Sequence, residues 1–375
     1  MDTAPERERV IGIDASRLTV GERTGTETYT AQLLQALHEL GAPDRFRLYL
    51  NAHTPPPGLP PLGETVCIPF PRLWTHARLS WEMQRRPPAV LFVPAHVIPL
   101  RRPASVVTIH DLGFLYHPEA HPPRQRRMLD VTTRWSAWAA KHIIAISETT
   151  RRDLIKHYGV PASKVTVIPH GVDPRFGRVT AEQVQDVREK LALPERYILA
   201  VGTIQPRKNL GRLAAALRQV ASAGLPHRLV IAGKRGWLAD QVEREVAASG
   251  AADRVVWLGY VPAADLPALY TGADVLAFPS LYEGFGLPIL EAMASGVPVV
   301  AASRSALPEV AGDAALLVDP FDPQAIGKAL VRAITDEALR AQLTERGRER
   351  AGTFTWRRTA EETLAVLRAV RDGTR

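Results

Sequence analysis

A single cysteine, Cys67, is all the thiol chemistry that this 375-residue chain possesses. That excludes an internal disulfide framework and a cysteine-built zinc site, and it leaves Cys67 to be read as a small buried hydrophobe behind Val66. No apolar run approaches the length that a bilayer span needs. The stretch 1–9 is polar and charged, so no secretory leader is visible. Zinc-finger spacing, a helix-turn-helix signature and an aromatic-rich RNA-binding strand are all missing, which argues against nucleic acid as a partner. No internal repeat is evident. No Asp-x-Asp pair stands where a metal would be held, so no metal is expected. The expected location is cytoplasmic, with peripheral contact at the inner face of the cell membrane left open.

An apolar content of 46% and a length of 375 residues suit two globular domains of ordinary size. The net charge of +8, from 47 basic and 39 acidic side chains, favours anionic partners such as nucleotides or an acidic membrane surface. Short β-type runs alternate with helical patterns throughout, as in parallel sheets covered by helices on both faces. The first half offers strands at 10–14, 46–51, 65–68, 90–93, 106–110, 143–147 and 165–169. The second offers 197–202, 228–233, 255–259, 274–278, 299–302 and 316–319. A helix over 26–39 would place Tyr29, Leu33, Leu37 and Leu40 on one face. A Pro-rich run at 54–61 reads as a surface loop.

A restart is visible near 178–196, where a charged helix at 181–191 precedes Pro194 and a fresh strand. The expected division is therefore a first α/β domain over 1–180, a second over 181–354, and a terminal helix over 355–375 returning toward the first. Leu364, Val366, Leu367 and Val370 are that helix's apolar contribution. Ligands of open α/β sheets sit beyond the carboxyl ends of strands, so a cleft between two such domains is the expected site.

The most informative stretch is 282–291, in which Glu283 and Glu291 bracket a glycine-rich turn that runs into a helix. Pro288 suits the first helical turn, and Glu291 is expected there too. The amides of Gly284, Phe285, Gly286 and Leu287 would then point at an anion, aided by the helix dipole. Carboxylates beside such a turn suit a ligand with both phosphates and hydroxyls. A plain strand–turn–helix junction, with a glutamate for capping, explains the same residues.

Other strand ends carry polar residues with similar double readings. Arg207 and Lys208 are adjacent cations at a strand-to-helix turn, suited to a diphosphate or simply solvated. Gly25 opens a helix, where its missing side chain lets a phosphate or an acceptor approach, or where it serves as a cap. His110, beside Asp111, could orient hydroxyls or shuttle protons, or be bonded to backbone. The segment 170–173 reads as interdomain turn chemistry. Lys234, within 233–237, could add charge near phosphates or touch a base, or belong to a surface loop.

Taken together, these segments resemble the retaining, metal-independent glycosyltransferases of family 4, which have the GT-B architecture of two facing Rossmann-like domains with a deep interdomain cleft. The resemblance covers nearly the whole chain in order: IHDLGFLYHPE, AISETTRRDL, VIPHGVD, VGTIQPRKNL, VIAGKRGW, FPSLYEGFGLPILEAMASGVPVV and PEVAGDAALLVDP. The Glu–seven residues–Glu spacing from Glu283 to Glu291 is its most specific element. The resemblance implies that Arg207 and Lys208 neutralise the donor diphosphate and that the amides of 284–287 hold its phosphate oxygens. It also implies that Glu283 bonds sugar hydroxyls and Glu291 the ribose hydroxyls. Gly25 would lie at the phosphate end of the cleft, His110 near the transferred sugar, and the base near Tyr260 and Val261. Two departures stand out: Thr203 occupies a position where some relatives place an arginine, and the loop around Gly25 has one glycine where many carry two. The phosphate-binding charge that Thr203 does not supply would come from Lys234 or Arg235.

The implied activity is transfer of a hexose from a nucleotide sugar to a hydroxyl of a glycan, a lipid-linked or a small-molecule acceptor. The motifs resemble those of bacterial mannosyltransferases of polysaccharide assembly, which favours GDP-mannose. Alternatives are a sugar-nucleotide epimerase or phosphorylase of similar architecture, and a basic nucleic-acid-binding module. A stretch with Leu73, Trp74, Arg78, Leu79, Trp81, Arg85 and Arg86, together with Arg124, Arg126 and Arg127, is expected either to rest on anionic lipid or to pack on its own domain.

Overall fold

The computed structural model describes residues 10–19 and 25–374. The polar stretch 1–9 and the front of the glycine loop at 23–24 lie outside the described residues. Each of the thirteen expected strands forms, with ends within two residues of those expected. They are β1 (Val10–Asp14), β2 (Arg45–Leu50), β3 (Gly63–Cys67), β4 (Val90–Val93), β5 (Ala104–Ile109), β6 (His142–Ala145) and β7 (Val165–Val167), then β8 (Tyr197–Val201), β9 (Arg228–Ala232), β10 (Val255–Gly259), β11 (Val275–Phe278), β12 (Val299–Ala302) and β13 (Leu316–Val318).

They make two sheets, ordered β3-β2-β1-β4-β5-β6-β7 and β10-β9-β8-β11-β12-β13. Every pairing is parallel. Strands such as Val10–Asp14, Val90–Val93 and Val299–Ala302 are buried along their whole length, which is why they read as continuous apolar runs without alternation. In each sheet the strand order reverses once, between β1 and β4 in the first and between β8 and β11 in the second. Such reversals are where α/β sheets open a ligand crevice.

The chain divides into two compact units. One holds the described residues up to Leu112, with Arg127–Gly171 and the chain from Thr355 onward; the other holds Gly113–Arg126 and Val172–Phe354. The last helix, Trp356–Arg371, packs Trp356, Leu364, Val366, Leu367 and Val370 into the core of the first unit, against Tyr29, Leu33 and Leu37 of the helix Gly25–Glu39. Arg371 Nη1 fixes its far end to Asp44 at 2.8 Å. The core of the second unit gathers Ile198, Leu213, Leu217, Leu229, Val275 and Leu330. Each such fully buried aliphatic contributes about 1.5–3 kcal/mol.

Helix ends follow their sequence. Ser147 accepts from the Thr150 N–H to start Glu148–Tyr158, and Gly159, at φ 64°, ends it. Thr180 and Gln183 form a reciprocal capping box on Ala181–Lys190. Cys67 is only partly buried, packed against the core of the first unit rather than inside it. Among the described residues, no helix is long and apolar enough to cross a membrane.

Candidate active site

In the second unit the reversal point is built from two loops, 202–209 after β8 and 279–286 after β11. Lys208 and Glu283 are both buried, and Lys208 Nζ donates to Glu283 Oε1 at 2.6 Å. Arg207 Nη1 lies 2.8 Å from Glu283 Oε2 and donates to the Tyr282 carbonyl at 2.9 Å. The ammonium also sits 4.7 Å from the centroid of the Phe278 ring. Burial by itself would raise the Glu283 carboxyl. The charges of Arg207 and Lys208, and the bonds they donate, outweigh burial and hold it at about 2. The three side chains form one charged unit with a net positive charge.

The backbone is shaped around this cluster. Gly202 adopts φ 138°, a conformation that strains any side chain, and a Cβ there would lie 2.9 Å from Lys208 Cε and displace the lysine. Asn209 adopts the left-handed conformation and its amide donates to the carbonyls of Pro279 and Pro320, at 3.1 and 2.7 Å. It thereby ties the loop after β8 to those after β11 and β13. The Glu283 N–H donates to Ser305 Oγ at 3.0 Å. Tyr282 stacks on Tyr116 with ring centroids 4.9 Å apart.

The turn 284–286 is buried, and the helix Leu287–Ala294 starts after Gly286 with Pro288 in its first turn. Gly286, at φ 117°, would place a Cβ 2.8 Å from Leu307 Cδ2. Glu291 stands one turn further in than the sequence suggested: it is the fifth residue of this helix, in the second turn. Tyr270 donates to Glu291 Oε2 at 2.6 Å. Burial raises the Glu291 carboxyl; the Tyr270 hydrogen bond pulls it down and Asp173 pushes it up, leaving it at about 7.

The loops after β9 and β10 adjoin the same region. Ile204 N–H donates to the Lys234 carbonyl at 2.9 Å, and Gly233 N–H to the Gly259 carbonyl at 2.7 Å. Lys234 is half-buried, Val261 buried and Tyr260 exposed. Arg235 is exposed and paired with Asp240 and Glu243.

The first unit places different chemistry at its strand ends. His110 is buried and its Nε2 lies 2.8 Å from the Pro94 carbonyl, which can only accept, so that nitrogen carries the proton. The His110 N–H donates to His96 Nε2 at 3.2 Å, which puts the His96 proton on Nδ1. Burial lowers His110, lowers His170 well below the usual imidazole range, and takes His96 down to about 4. The segment 170–173, expected to be an interdomain turn, does carry the boundary between the two units, at Gly171 and Val172. Its His170 is buried, stacked between Tyr29 and Trp356 at centroid distances of 4.7 and 5.8 Å. Gly25 is the first residue of its helix, and a Cβ there would meet nothing within 4 Å. The fold itself does not require glycine at that position.

Two family models account for most of the chain: Glycosyltransferase Family 4 over residues 23–176 and Glycosyl transferases group 1 over residues 183–350. Among curated proteins, the O-antigen chain mannosyltransferase B of Escherichia coli is 33% identical over 295 residues, covering 78% of this chain and 77% of that one. The chain belongs to the group 1 and family 4 glycosyltransferases.

The serotype-specific mannosyltransferase WbdA of Escherichia coli is also 33% identical, over 72% of this chain; the match spans 33% of that longer protein. Solved structures place this glycosyltransferase in the GT-B fold. The sucrose-phosphate synthase of Thermosynechococcus elongatus superposes with TM-score 0.76 over 97% of this chain and 100% of that one, at 23% identity. WaaG, a glycosyltransferase involved in lipopolysaccharide biosynthesis, superposes with TM-score 0.73 over 96% of this chain and 99% of that one, at 19% identity.

Of the residues picked from the sequence of this glycosyltransferase, Arg207, Lys208 and Glu283 come together as one cluster. Gly284, Phe285, Gly286, Leu287 and Glu291 follow on the same loop and helix, and Lys234, Tyr260 and Val261 lie on the adjoining strand ends. Gly25 and His110 belong to the other unit. Sequence reasoning missed Tyr270, Asn209 and Ser305. Asn209 stood inside a family motif without a role, whereas nothing local marks Tyr270, which meets Glu291 only through packing. Among the described residues, no group of three or more His, Cys, Asp or Glu side chains could hold a metal ion.

Proposed function

We propose that this glycosyltransferase is a retaining, metal-independent mannosyltransferase that uses GDP-mannose and delivers the sugar to a hydroxyl of a growing surface glycan or its lipid-linked precursor. The observation that carries the reading is the buried Lys208–Glu283–Arg207 cluster at the strand-order reversal of the second unit. A departing nucleoside diphosphate gains negative charge as the bond to the anomeric carbon breaks. Cations already held in place cost no reorganisation when that charge develops. Glu283 is the element that holds them. Its carboxylate has lone pairs beyond those taken by Arg207 and Lys208, so a sugar hydroxyl can still donate to it.

In the proposed step, the anomeric C–O bond to the diphosphate breaks and its electron pair goes to the phosphate oxygen. The acceptor oxygen bonds to the anomeric carbon on the same face. The acceptor's proton passes to the departing phosphate. This route asks for no protein base, in keeping with a Glu283 held at about 2 and therefore ionised and weakly basic. Mannose is supported by two Escherichia coli relatives whose names specify mannosyltransferases, at 33% identity.

A thermal-shift panel of GDP, UDP, dTDP and ADP, followed by donor turnover with and without acceptor, tests the reading. Stabilisation by GDP above the others, acceptor-dependent turnover unaffected by EDTA, and an α-linked product from an α-linked donor are expected. Preference for another base would overturn GDP-mannose. Donor turnover without acceptor would replace transfer with epimerisation or phosphorolysis. Loss of activity to chelator with rescue by manganese would overturn metal independence.

A further inference from the structure

The helix Pro123–Ala139 buries Thr133, Ser136 and Ala137, yet presents Met128, Val131 and Trp138 to solvent, at 59%, 59% and 74% exposure. With Trp135 these fall at steps of three and four residues, one stripe on the side opposite the buried face. The loop that ends against this helix adds Leu100, 54% exposed. Large apolar side chains seldom protrude together on a soluble surface without a partner.

The charges around this stripe are of one sign. Arg102 lies over the Trp135 ring at 5.2 Å and donates only to carbonyls, those of Pro99, Leu100 and Ala139. Lys164 donates to the Trp138 carbonyl at 2.7 Å. Burial, then the charges of Arg102 and Lys141, lower Lys164, so these cations crowd one another. Arg101, Arg127 and Arg134 are exposed beside them, and the one carboxylate on the helix, Asp130, is taken up by the Tyr158 hydroxyl at 2.8 Å and by Arg134 at 3.9 Å. The stretch that the sequence left open between lipid contact and packing on its own domain does some of each: Trp74 and Leu79 are buried, whereas Leu73 and Trp81 are exposed and Arg78 and Arg85 stack on the Trp81 ring.

We infer that the surface formed by Leu100, Met128, Val131 and Trp138, with Arg101, Arg102, Arg134, Lys141 and Lys164, docks on an anionic lipid bilayer. The protruding indole and aliphatic side chains enter the headgroup boundary while the cations stay with the phosphates. A polynucleotide would satisfy the cations but gives Leu100, Met128 and Val131 no apolar phase. The inference stands independently of the transferase reading.

Flotation of the whole chain with vesicles of phosphatidylcholine mixed with phosphatidylglycerol, against phosphatidylcholine alone, is the test. Binding to the anionic vesicles that weakens with salt is expected. Trp138→Ser should weaken it by about tenfold, and Arg101→Glu with Lys141→Glu by about tenfold or more. Arg244→Glu, at an exposed position on the helix Ala239–Ala247 of the other unit, should leave it unchanged. All three variants should keep the wild-type circular dichroism and melting temperature. Absence of flotation with either vesicle, equal loss with Arg244→Glu, or tight binding to a short polynucleotide without vesicle binding would each overturn the assignment.

Discussion

The two units meet the same architectural problem with opposite chemistry. Both are parallel sheets with one reversal of strand order, and both collect titratable residues beyond the strand ends. The second unit buries charges and pairs them: Lys208 and Arg207 on Glu283. The first keeps its imidazoles neutral: His110 and His170 are buried beside Tyr29, and His96 is half-buried, stacked on His110. The difference is one of partners. Where two cations approach one carboxylate, their attraction exceeds the desolvation cost and ionisation is favoured. Around His110 burial wins: the carboxylates of Asp111 and Glu27 favour the charged form too weakly to offset it, and the charged form is expelled. A site that must receive an anionic group has to hold net positive charge before the ligand arrives.

The strongest way to break this contrast is Lys208→Ala. Loss of one pre-placed cation should lower donor turnover by about a hundredfold or more, with the fold retained by circular dichroism. Turnover close to wild type at subsaturating donor would remove Lys208 from the site. Glu283→Gln comes next. It leaves two cations without their counter-charge, and a broken buried pair of this kind costs about 3–5 kcal/mol. Chemical denaturation should show that loss, and a silent variant would mean that the cluster is solvated in solution.

An acid titration separates the units directly. The three imidazoles have folded values below the unfolded one of about 6.5, so the unfolded chain binds more protons and the first unit loses stability as the pH falls below that value. Glu283 is displaced downward to about 2, so its contribution is intact above the unfolded carboxyl range and is lost only as the pH falls toward 2. Hydrogen exchange between pH 6.5 and 4.5 should therefore open the first unit's sheet before the second's. Earlier opening of the second unit would refute the contrast.

The smallest expected effect sharpens the role of Glu291. Its ionised form accepts the Tyr270 hydroxyl, so Tyr270→Phe should push the carboxyl above its present value of about 7. Nucleoside diphosphate binding should strengthen as the pH rises through that value in the wild type. The variant should bind about threefold more weakly at neutral pH, with its midpoint displaced upward. Calorimetric titrations that find the same midpoint in both proteins would separate Glu291 from ligand binding.

Much of this was legible in the sequence because strands buried on both faces, such as β1, β4 and β12, are written as continuous β-branched and apolar runs, and all thirteen expected strands formed. Their ends were less legible, since the last residue of a strand is decided by what its neighbour offers to bond. Glu283 and Glu291 were visible by spacing, but their states were not. The same residue type is held at about 2 in one place and about 7 in the other. One meets two cations from a loop 75 residues away; the other meets a buried phenol and Asp173.

The exposed stripe on Pro123–Ala139 shows the same limit from the other side. The sequence displayed tryptophans and arginines in two stretches and could not tell which were core. Local order therefore determined the elements, the family motifs and the identity of the candidate ligating residues, because periodicity and turn chemistry act over a few positions. Tertiary structure alone decided which carboxyl is charged, which histidines are silent and which tryptophan faces solvent. Desolvation and Coulomb energy depend on distances that the chain sets only when it folds.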